Sequence, residues 1–182
     1  MKRPLLILDL DETLLWASED QPEKGYDFRA FPYFVTKRPH LDVFLEAVLA
    51  WFDLAVWTSS GEDYAKATVS KLFEDPSSLN FVWASSRCTQ AYDQDTLEAY
   101  ALKDLKKVKR KGYPLERVLL IDDSPEKARR QYGNHLHLRP FQGDPHDREL
   151  LDVLPFLDWI RNQDDFRKIE KRNWRARRLP SQ

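Results

Sequence analysis

Two acidic residues, Asp9 and Asp11, follow a short apolar run, Leu5–Leu8, close to the start of the sequence. Such a run is typical of a strand buried on both faces, and strands of this kind form parallel sheets. Ligands bind beyond the carboxyl ends of parallel strands, so we expect Asp9 to point into a crevice there. Side chains alternate along an extended chain, which places Asp9 and Asp11 on one side. Because two close carboxylates repel each other, one binds a proton or a cation lies between them.

Two later apolar runs end in a similar way, the first in hydroxyl residues and the second in acids. Residues 53–57 lead into Thr58 and Ser59, and residues 117–121 lead into Asp122. A helix is predicted shortly after Ser59, and free N–H groups at a helix start bind anions well when hydroxyl groups assist them. A hydroxyl that only caps the helix is the alternative interpretation for Ser59.

The pattern Asp-x-Asp-x-Thr at residues 9–13 resembles the first motif of the haloacid dehalogenase superfamily of phosphotransferases. With Glu12 before Thr13, it is similar to the branch that dephosphorylates phosphoserine in the C-terminal domain of RNA polymerase, the small C-terminal-domain phosphatases. The three later motifs of the superfamily follow in order, at Thr58, Lys103 and Asp122. The resemblance covers residues 5–160, which is nearly the whole chain.

This resemblance implies a phosphomonoester hydrolase that works through an aspartyl-phosphate. Asp9 is implied as the nucleophile that attacks phosphorus. Asp11 is implied as the acid that protonates the leaving group and then as the base that activates water. The residues implied to hold the phosphoryl group are Thr58, Ser59 and Lys103.

The resemblance also implies a magnesium site. Its ligands are the carboxylates of Asp9 and Asp122 and the backbone carbonyl of Asp11. Hard oxygen ligands of this kind suit Mg²⁺. Asp123 is a further candidate ligand, at a position where close members of the family often have Asn.

Two arginines are candidates for contact with the rest of the substrate. Arg38 belongs to a Lys-Arg-Pro run that stands at the same place in the family, before a helix whose first position suits Pro39. Arg87 precedes Cys88 where the family has a small β-hairpin insertion. A solvated arginine at a helix start is the alternative for Arg38, and Cys88 is expected to be an inert thiol because no paired His or Cys accompanies it.

The sequence departs from the family pattern after Cys88. The stretch before Lys103 is longer, and Ala101 replaces the aromatic residue two places before the lysine. We predict a phosphoserine/phosphothreonine protein phosphatase, and the departure leaves a phosphatase of small metabolites or nucleotides as the alternative. A binding module without turnover is a third hypothesis, and the retained motif residues argue against it.

We expect an α/β fold of the three-layer, Rossmann-like type, with helices on both faces of a parallel sheet. The resemblance also implies that the strand before Asp9 lies between those that end at Thr58 and Asp122. The resemblance implies a β-hairpin flap in residues 16–37, where residues 31–36 are predicted to form an edge strand because Pro32 cannot join a central ladder. Residues 101–105 are predicted to begin a helix. No segment is long enough for a large cap, so we predict one phosphatase domain, residues 1–162, and a basic tail or helix, residues 163–182.

Composition excludes several other classes of protein. A net charge of −1 argues against nucleic-acid binding, and a single cysteine excludes an internal disulfide framework and fits a reducing compartment. No apolar run approaches the length of a membrane span, and no signal peptide precedes the first strand. We therefore expect a soluble intracellular monomer, cytoplasmic or nuclear, whose partner is a phosphorylated protein or peptide.

Two features allow competing interpretations. His135 and His137 alternate with leucines, so they could form a two-histidine metal site, although polar residues at a strand end are commoner. Trp174 lies among arginines in the tail, a mixture that stacks on nucleic acids in some proteins. A solvated or docked terminal helix is the favoured interpretation of the tail.

Overall fold

Strands and helices alternate along much of the chain, as the apolar runs predict. The computed structural model describes residues 3–92 and 98–177. Its strands are β1 (Leu5–Leu8), β2 (Leu15–Ser18), β3 (Phe28–Ala30), β4 (Tyr33–Lys37), β5 (Asp53–Trp57), β6 (Val82–Trp83), β7 (Thr89–Tyr92), β8 (Ala99–Leu102), β9 (Val118–Asp122) and β10 (His135–His137). Its α-helices are α1 (Leu41–Trp51), α2 (Glu62–Leu72), α3 (Lys106–Lys109) and α4 (Glu149–Ile160), and a longer 3₁₀ segment spans Pro125–Asn134.

The strand that leads to Asp9 lies in the middle of a five-stranded parallel sheet, in the order β10, β9, β1, β5, β6. All four residues of β1 are apolar and fully buried, as a strand covered on both faces requires. Leu6 and Leu8 pack with α1 and α4 on one face, and Leu5 and Ile7 pack on the other face near α3. The predicted α/β fold and the central place of β1 are confirmed.

A three-stranded antiparallel sheet forms the predicted flap, in the order β2, β4, β3. The prediction of an edge strand at residues 31–36 is wrong, because β4 is the central strand of this sheet. Pro32 lies in the turn just before β4, after a cis peptide bond with Phe31, so its missing N–H removes no ladder hydrogen bond.

Several helix boundaries differ from the predictions. Helix α1 begins at Leu41 after His40, which adopts a left-handed conformation, so Pro39 lies before the helix rather than at its first position. The helix predicted from residue 101 is wrong at its start, since Ala101 and Leu102 belong to β8 and α3 has only four residues. The small β-hairpin of β7 and β8 is present, and residues 93–97 between its strands lie outside the described residues.

The described part of the C-terminal tail is docked on the domain. Phe166 and Trp174 are buried in the same cluster as α4, and Nε1 of Trp174 donates to the carbonyl of His137 at 3.1 Å. The indole of Trp174 is therefore buried, whereas stacking on a nucleic acid would require it to be exposed. Across the described ranges, no helix combines the length and the apolar character that crossing a membrane would demand.

Candidate active site

The carboxyl ends of three neighbouring strands bring the main predicted residues together. Asp9 follows β1, Thr58 follows β5 and Asp122 ends β9, and these strands are adjacent in the sheet. Their register aligns the three ends at one edge. All three side chains are buried, so the site has a floor that is shielded from water.

Three carboxylates form the centre of this floor. Oxygens of Asp9, Asp122 and Asp123 lie within 4.8 Å of one another. Nζ of Lys103 is fully buried and donates to Asp9 and to Asp122, at 2.6 Å in each case. Lys103 therefore neutralises part of the charge of the predicted nucleophile directly.

A second lysine, Lys127, faces the same carboxylates. Its Nζ lies 3.7 Å from Asp9, 3.7 Å from Asp122 and 3.9 Å from Asp123. It belongs to the 3₁₀ segment that follows β9, and its carbonyl accepts the N–H of Lys103 at 2.8 Å. Sequence reasoning missed this residue. Its place in the first turn after the Asp122 strand is the only signal that could have identified it.

The protonation of the site reflects this excess of acids. Burial raises the pKa of the Asp9 carboxyl, Asp122 raises it further, and the two lysines lower it only in part. Burial alone would lower the pKa of Lys103 and of Lys127, but Asp9 and Asp122 outweigh burial and raise both. Three carboxylates thus face two ammonium groups.

The chemistry of these donors fits a divalent metal ion. Carboxylate oxygens are hard ligands, and a cation would remove the negative excess, which a phosphate dianion would otherwise increase. The group formed by Asp9, Asp122 and Asp123 can therefore hold a metal. The backbone carbonyl of Asp11 stays a predicted ligand.

Asp11 lies apart from this cluster, with its carboxylate held by hydroxyl groups. Tyr64 donates to it at 2.5 Å and Ser60 at 2.7 Å, and Thr58 approaches at 3.4 Å. The chain turns at Glu12, whose φ is 58°, so residues 9–13 do not form the extended segment that we assumed when we placed Asp9 and Asp11 on one side. Burial, with Asp11 alongside, raises the pKa of the Tyr64 hydroxyl, which therefore stays a donor. Sequence reasoning treated Tyr64 only as an inward-facing helix residue.

Thr58 and Ser59 stand where a phosphoryl group would meet the start of α2. The hydroxyl oxygen of Thr58 accepts the N–H of Ser60 at 3.0 Å, and Thr58 is fully buried. Ser59 is half-buried next to it. Neither hydroxyl caps α2, whose N-cap residue is Gly61. Phosphate contact by Thr58 and Ser59 stays a prediction.

The structure argues against a substrate-binding role for Arg38. Its guanidinium is buried and donates to both carboxylate oxygens of Asp147 at 2.8 Å. It also donates to the carbonyls of Thr13 and Arg139, at 2.9 Å each. Because these partners occupy its donors, we correct the interpretation: Arg38 braces the loop that follows Asp9, and it is neither solvated nor turned toward a substrate.

The other candidates occupy separate places. Arg87 is exposed, with its guanidinium 4.6 Å from the ring centroid of Trp83, so substrate contact stays a prediction. Cys88 is half-buried, and burial raises the pKa of its thiol, as expected for an inert cysteine.

Nε2 of His135 lies 3.0 Å from the carbonyl of Asp122, and burial lowers the pKa of the His135 imidazole. In the described ranges, neither His135 nor His137 belongs to a group of metal-ligating side chains.

A cleft of about 350 Å³ opens beside Asp11, between the flap and the start of α2. The flap contributes Trp16, Ala17 and Tyr33 to it. Tyr64 lies on the opposite wall and packs edge-on against Tyr33, with ring centroids 5.5 Å apart. Two aromatic residues of the flap, Trp16 and Tyr33, therefore border the predicted acid/base residue.

The fold and this site define a hydrolase of the haloacid dehalogenase type. The family model described as NLI interacting factor-like phosphatase matches residues 4–167, so the chain belongs to that family. It is accordingly a phosphatase that uses an aspartate nucleophile, and the predicted resemblance is confirmed.

Individual relatives agree with this placement. The CTD nuclear envelope phosphatase 1 homolog of Drosophila melanogaster is 34% identical over 98% of this chain and 76% of that protein. Nuclear envelope morphology protein 1 of Saccharomyces cerevisiae is 29% identical over 92% of this chain, which spans 41% of that longer protein. The structure of Fcp1, an essential RNA polymerase II CTD phosphatase, superposes with a TM-score of 0.67 at 19% identity. That match covers 87% of this chain and 62% of the Fcp1 chain, and it supports the fold.

Proposed function

We propose that this chain is a Mg²⁺-dependent phosphoserine/phosphothreonine protein phosphatase. The observation that carries the proposal is the buried Asp9 carboxylate, held at 2.6 Å by Lys103 beside Asp122 and Asp123. In the described ranges, the sheets outside the central one are the three-stranded flap and the two-stranded hairpin, both too small to form a large cap, so we infer an open mouth above Asp9.

Asp9 attacks the phosphorus atom as the bond from phosphorus to the serine or threonine oxygen breaks, and water then hydrolyses the resulting aspartyl-phosphate to free Asp9 and inorganic phosphate. Lys103 and Lys127 stabilise the negative charge that develops on the phosphoryl oxygens, because both ammonium groups already point at the carboxylates that surround the reacting atom. Thr58 and Ser59 supply hydroxyl donors from the loop before α2. Thr13 links the loops, since its hydroxyl oxygen accepts the N–H of Asp123 at 3.1 Å.

Asp11 transfers the proton at both chemical steps. Its carboxylate is bound by the hydroxyls of Tyr64 and Ser60, so it turns from them toward the leaving oxygen when substrate is present. The two hydroxyls therefore hold the acid/base residue away from Asp9 between turnovers, which relieves the repulsion expected for two close carboxylates.

Mg²⁺ is the proposed metal, with Asp9 and Asp122 as carboxylate ligands, the Asp11 carbonyl as a third, and Asp123 as an additional candidate. When bound, it supplies positive charge that lets the phosphate dianion approach an acidic site.

A protein substrate is favoured by the open mouth and by the aromatic cleft beside Asp11, which can receive residues that flank a phosphoserine. The names of the relatives, which include CTD phosphatases, favour the same class. A metabolite phosphatase remains the alternative because of the longer stretch before Lys103. The monomeric state, the intracellular location and the domain boundary at residue 162 stay predictions.

The test compares kcat/KM for a library of phosphoserine peptides with that for free phosphoserine, sugar phosphates and nucleotides. Each is measured with Mg²⁺ and after chelation, and Asp9→Asn serves as the inactive control. We expect the peptides to be preferred and all turnover to require metal. A metabolite turned over far more efficiently than every peptide would overturn the protein-phosphatase proposal. Lack of turnover of any phosphate monoester, including an aryl phosphate, would overturn the enzymatic function itself.

A further inference from the structure

A depression of about 190 Å³ lies beside the active site, at the β6 edge of the sheet. Trp83 and Ser86 line it together with four cationic side chains, which we call the basic pocket: Arg87, Lys107, Arg110 and Lys111. A second depression of about 350 Å³ adjoins it, shares Arg87 and Lys111, and adds Lys66 and one acid, Glu62. The carboxylate of Glu62 accepts a hydrogen bond from Ser86 at 2.9 Å.

The four cations of the basic pocket have no acidic partner among residues 3–92 and 98–177. Nζ of Lys107 donates to the carbonyl of Arg87 at 2.6 Å and to the hydroxyl of Thr89 at 3.1 Å. The guanidinium of Arg87 lies over Trp83. Like charges brought together without counter-charges repel each other, so an anion bound here would stabilise the arrangement.

A different basic crevice on the same molecule provides a contrast. It is formed by the C-terminal tail, and its exposed cations are neutralised within the chain. Three of them pair with carboxylates: Arg167 with Glu116, Lys168 with Asp165 and Arg172 with Glu170. Within residues 3–92 and 98–177, the cations of the basic pocket therefore differ from those of the tail crevice in having no carboxylate partner.

The basic pocket is also held in place before a ligand arrives. Trp83, beneath Arg87, stacks on Phe81 with centroids 4.0 Å apart and meets Trp57 edge-on at 4.8 Å. Lys107 is fixed by its two hydrogen bonds. A planar guanidinium fixed on an aromatic ring can offer two parallel N–H donors, which match the oxygens of a phosphate.

The order of strands in the central sheet sets the distance between the basic pocket and the nucleophile, Asp9. Strand β6 is the second strand from β1, and neighbouring strands are about 4.8 Å apart, so the basic pocket begins roughly 10 Å from the Asp9 strand. The N–H of Ser85 donates to the carbonyl of Ser60 at 2.9 Å, which joins the two regions. Gly61 lines the cleft beside Asp11 and its neighbour Glu62 lines the second depression, and exposed Gly61 presents no side chain to obstruct a peptide that joins them. An extended peptide advances about 3.3 Å per residue, so three residues reach the near edge of the basic pocket and five residues, about 16 Å, reach into it.

We propose that the basic pocket binds a second phosphate on the substrate chain, three to five residues from the phosphoserine that reacts. The inference rests on the proposed function and specifies its substrate class as multiply phosphorylated protein segments. Arg87 and Lys107 contact the phosphate from fixed positions, and Arg110 and Lys111 reach it from the turn after α3.

The test uses pairs of peptides that share one reactive phosphoserine and differ only in a second phosphate. That phosphate is placed at one, three, four, five or eight residues, on either side. One exposed ion pair changes an equilibrium constant by up to about fivefold, so with several cations we expect kcat/KM to rise at least about fivefold at the matching spacing.

The variant Arg110→Gln/Lys111→Gln removes two cations from the rim of the pocket. The matched control is Lys106→Gln/Lys109→Gln, which makes the same charge change on α3 at residues that do not line the pocket. We expect the first variant to lose most of the preference and the control to keep it, with unchanged turnover of an aryl phosphate in both.

The outcomes separate the two proposals. If aryl phosphate and singly phosphorylated peptides are hydrolysed but a second phosphate has no effect at any spacing, the basic pocket inference is wrong and the phosphatase function stands. The inference is also wrong if the control variant loses the preference equally, or if the pocket variant weakens only the binding of a single-stranded oligonucleotide. If no phosphate monoester is hydrolysed, the proposed function fails and the inference fails with it.

Discussion

Arg38→Met should destabilise the protein without impairing its recognition of substrate. Methionine retains the apolar stem of the side chain but removes the guanidinium. The carbonyls of Thr13 and Arg139 then lose this donor, and, among the described residues, the carboxylate of Asp147 keeps only the N–H of Glu149, at 2.9 Å. Buried acceptors without partners cost more free energy than the hydrogen bonds contribute when they are made.

The magnitude follows from the burial of the pair. The side chain of Arg38 is 0% exposed and that of Asp147 is 16% exposed, so water can reach the carboxylate only in part. Removing one partner of a buried ion pair costs about 3–5 kcal/mol, and the partial access of water places this case near 3 kcal/mol. For a chain of this size, 1 kcal/mol corresponds to about 2–4 °C, so we expect Tm to fall by about 6–12 °C.

Thermal and urea unfolding, followed by circular dichroism, measure the loss, and kinetics are taken well below the lowered Tm. Arg38→Lys keeps the charge without the planar fork and should lose less stability. Arg87→Met is the matched control, since Arg87 is exposed over Trp83 and its loss should cost no more than about 1 kcal/mol. An Arg38→Met protein with wild-type Tm and a raised KM for phosphopeptides would refute the bracing role and restore the substrate-binding one.

Three further outcomes are expected. Asp11→Asn should slow alkyl phosphates much more than aryl phosphates, because good leaving groups need little protonation; equal losses, with phosphorylation limiting the rate, would exclude the acid role. Chelation should abolish turnover, and added Mg²⁺ should restore it. Asp122→Asn should raise the Mg²⁺ concentration that gives half-maximal rate at least about tenfold. An unchanged Mg²⁺ dependence in this variant would contradict the assignment of Asp122 as a ligand. Burial lowers the pKa of Lys171 from 10.5 to about 8, so the unfolded chain binds more protons there between these values. The stability of the wild type relative to Lys171→Met should therefore rise from pH 8 to 10.5, and a flat or falling difference in unfolding free energy would contradict the burial argument.

The sheet and the acids at its edge could be predicted because the signal is local. Each apolar run is a few residues long and delivers its polar residue directly, as β1 does for Asp9 and β9 for Asp122. Strand order followed from the resemblance, and burial of every residue in β1 agrees with its central place.

The side-chain partners could not be predicted, because they depend on residues far apart in the chain. Arg38 meets Asp147 across 109 positions, and nothing near either residue indicates the pair. The carboxylate of Asp11 is oriented by Tyr64, 53 positions away. The helix predicted from Ala101 failed because its apolar residues fit a strand as well, and pairing with β7 decided between the two.

The measurement that tests the account most directly is the identification of the phosphorylated residue. The Asp11→Asn variant is mixed with a radiolabelled aryl phosphate, whose leaving group needs little protonation, then quenched in acid and mapped by proteolysis and mass spectrometry. We predict a hydroxylamine-sensitive acyl phosphate on Asp9, because Asp9 attacks and the next step is slowed. We also predict that Asp9→Asn carries no label and hydrolyses nothing. A label on another residue, or turnover by folded Asp9→Asn, would contradict the central claim.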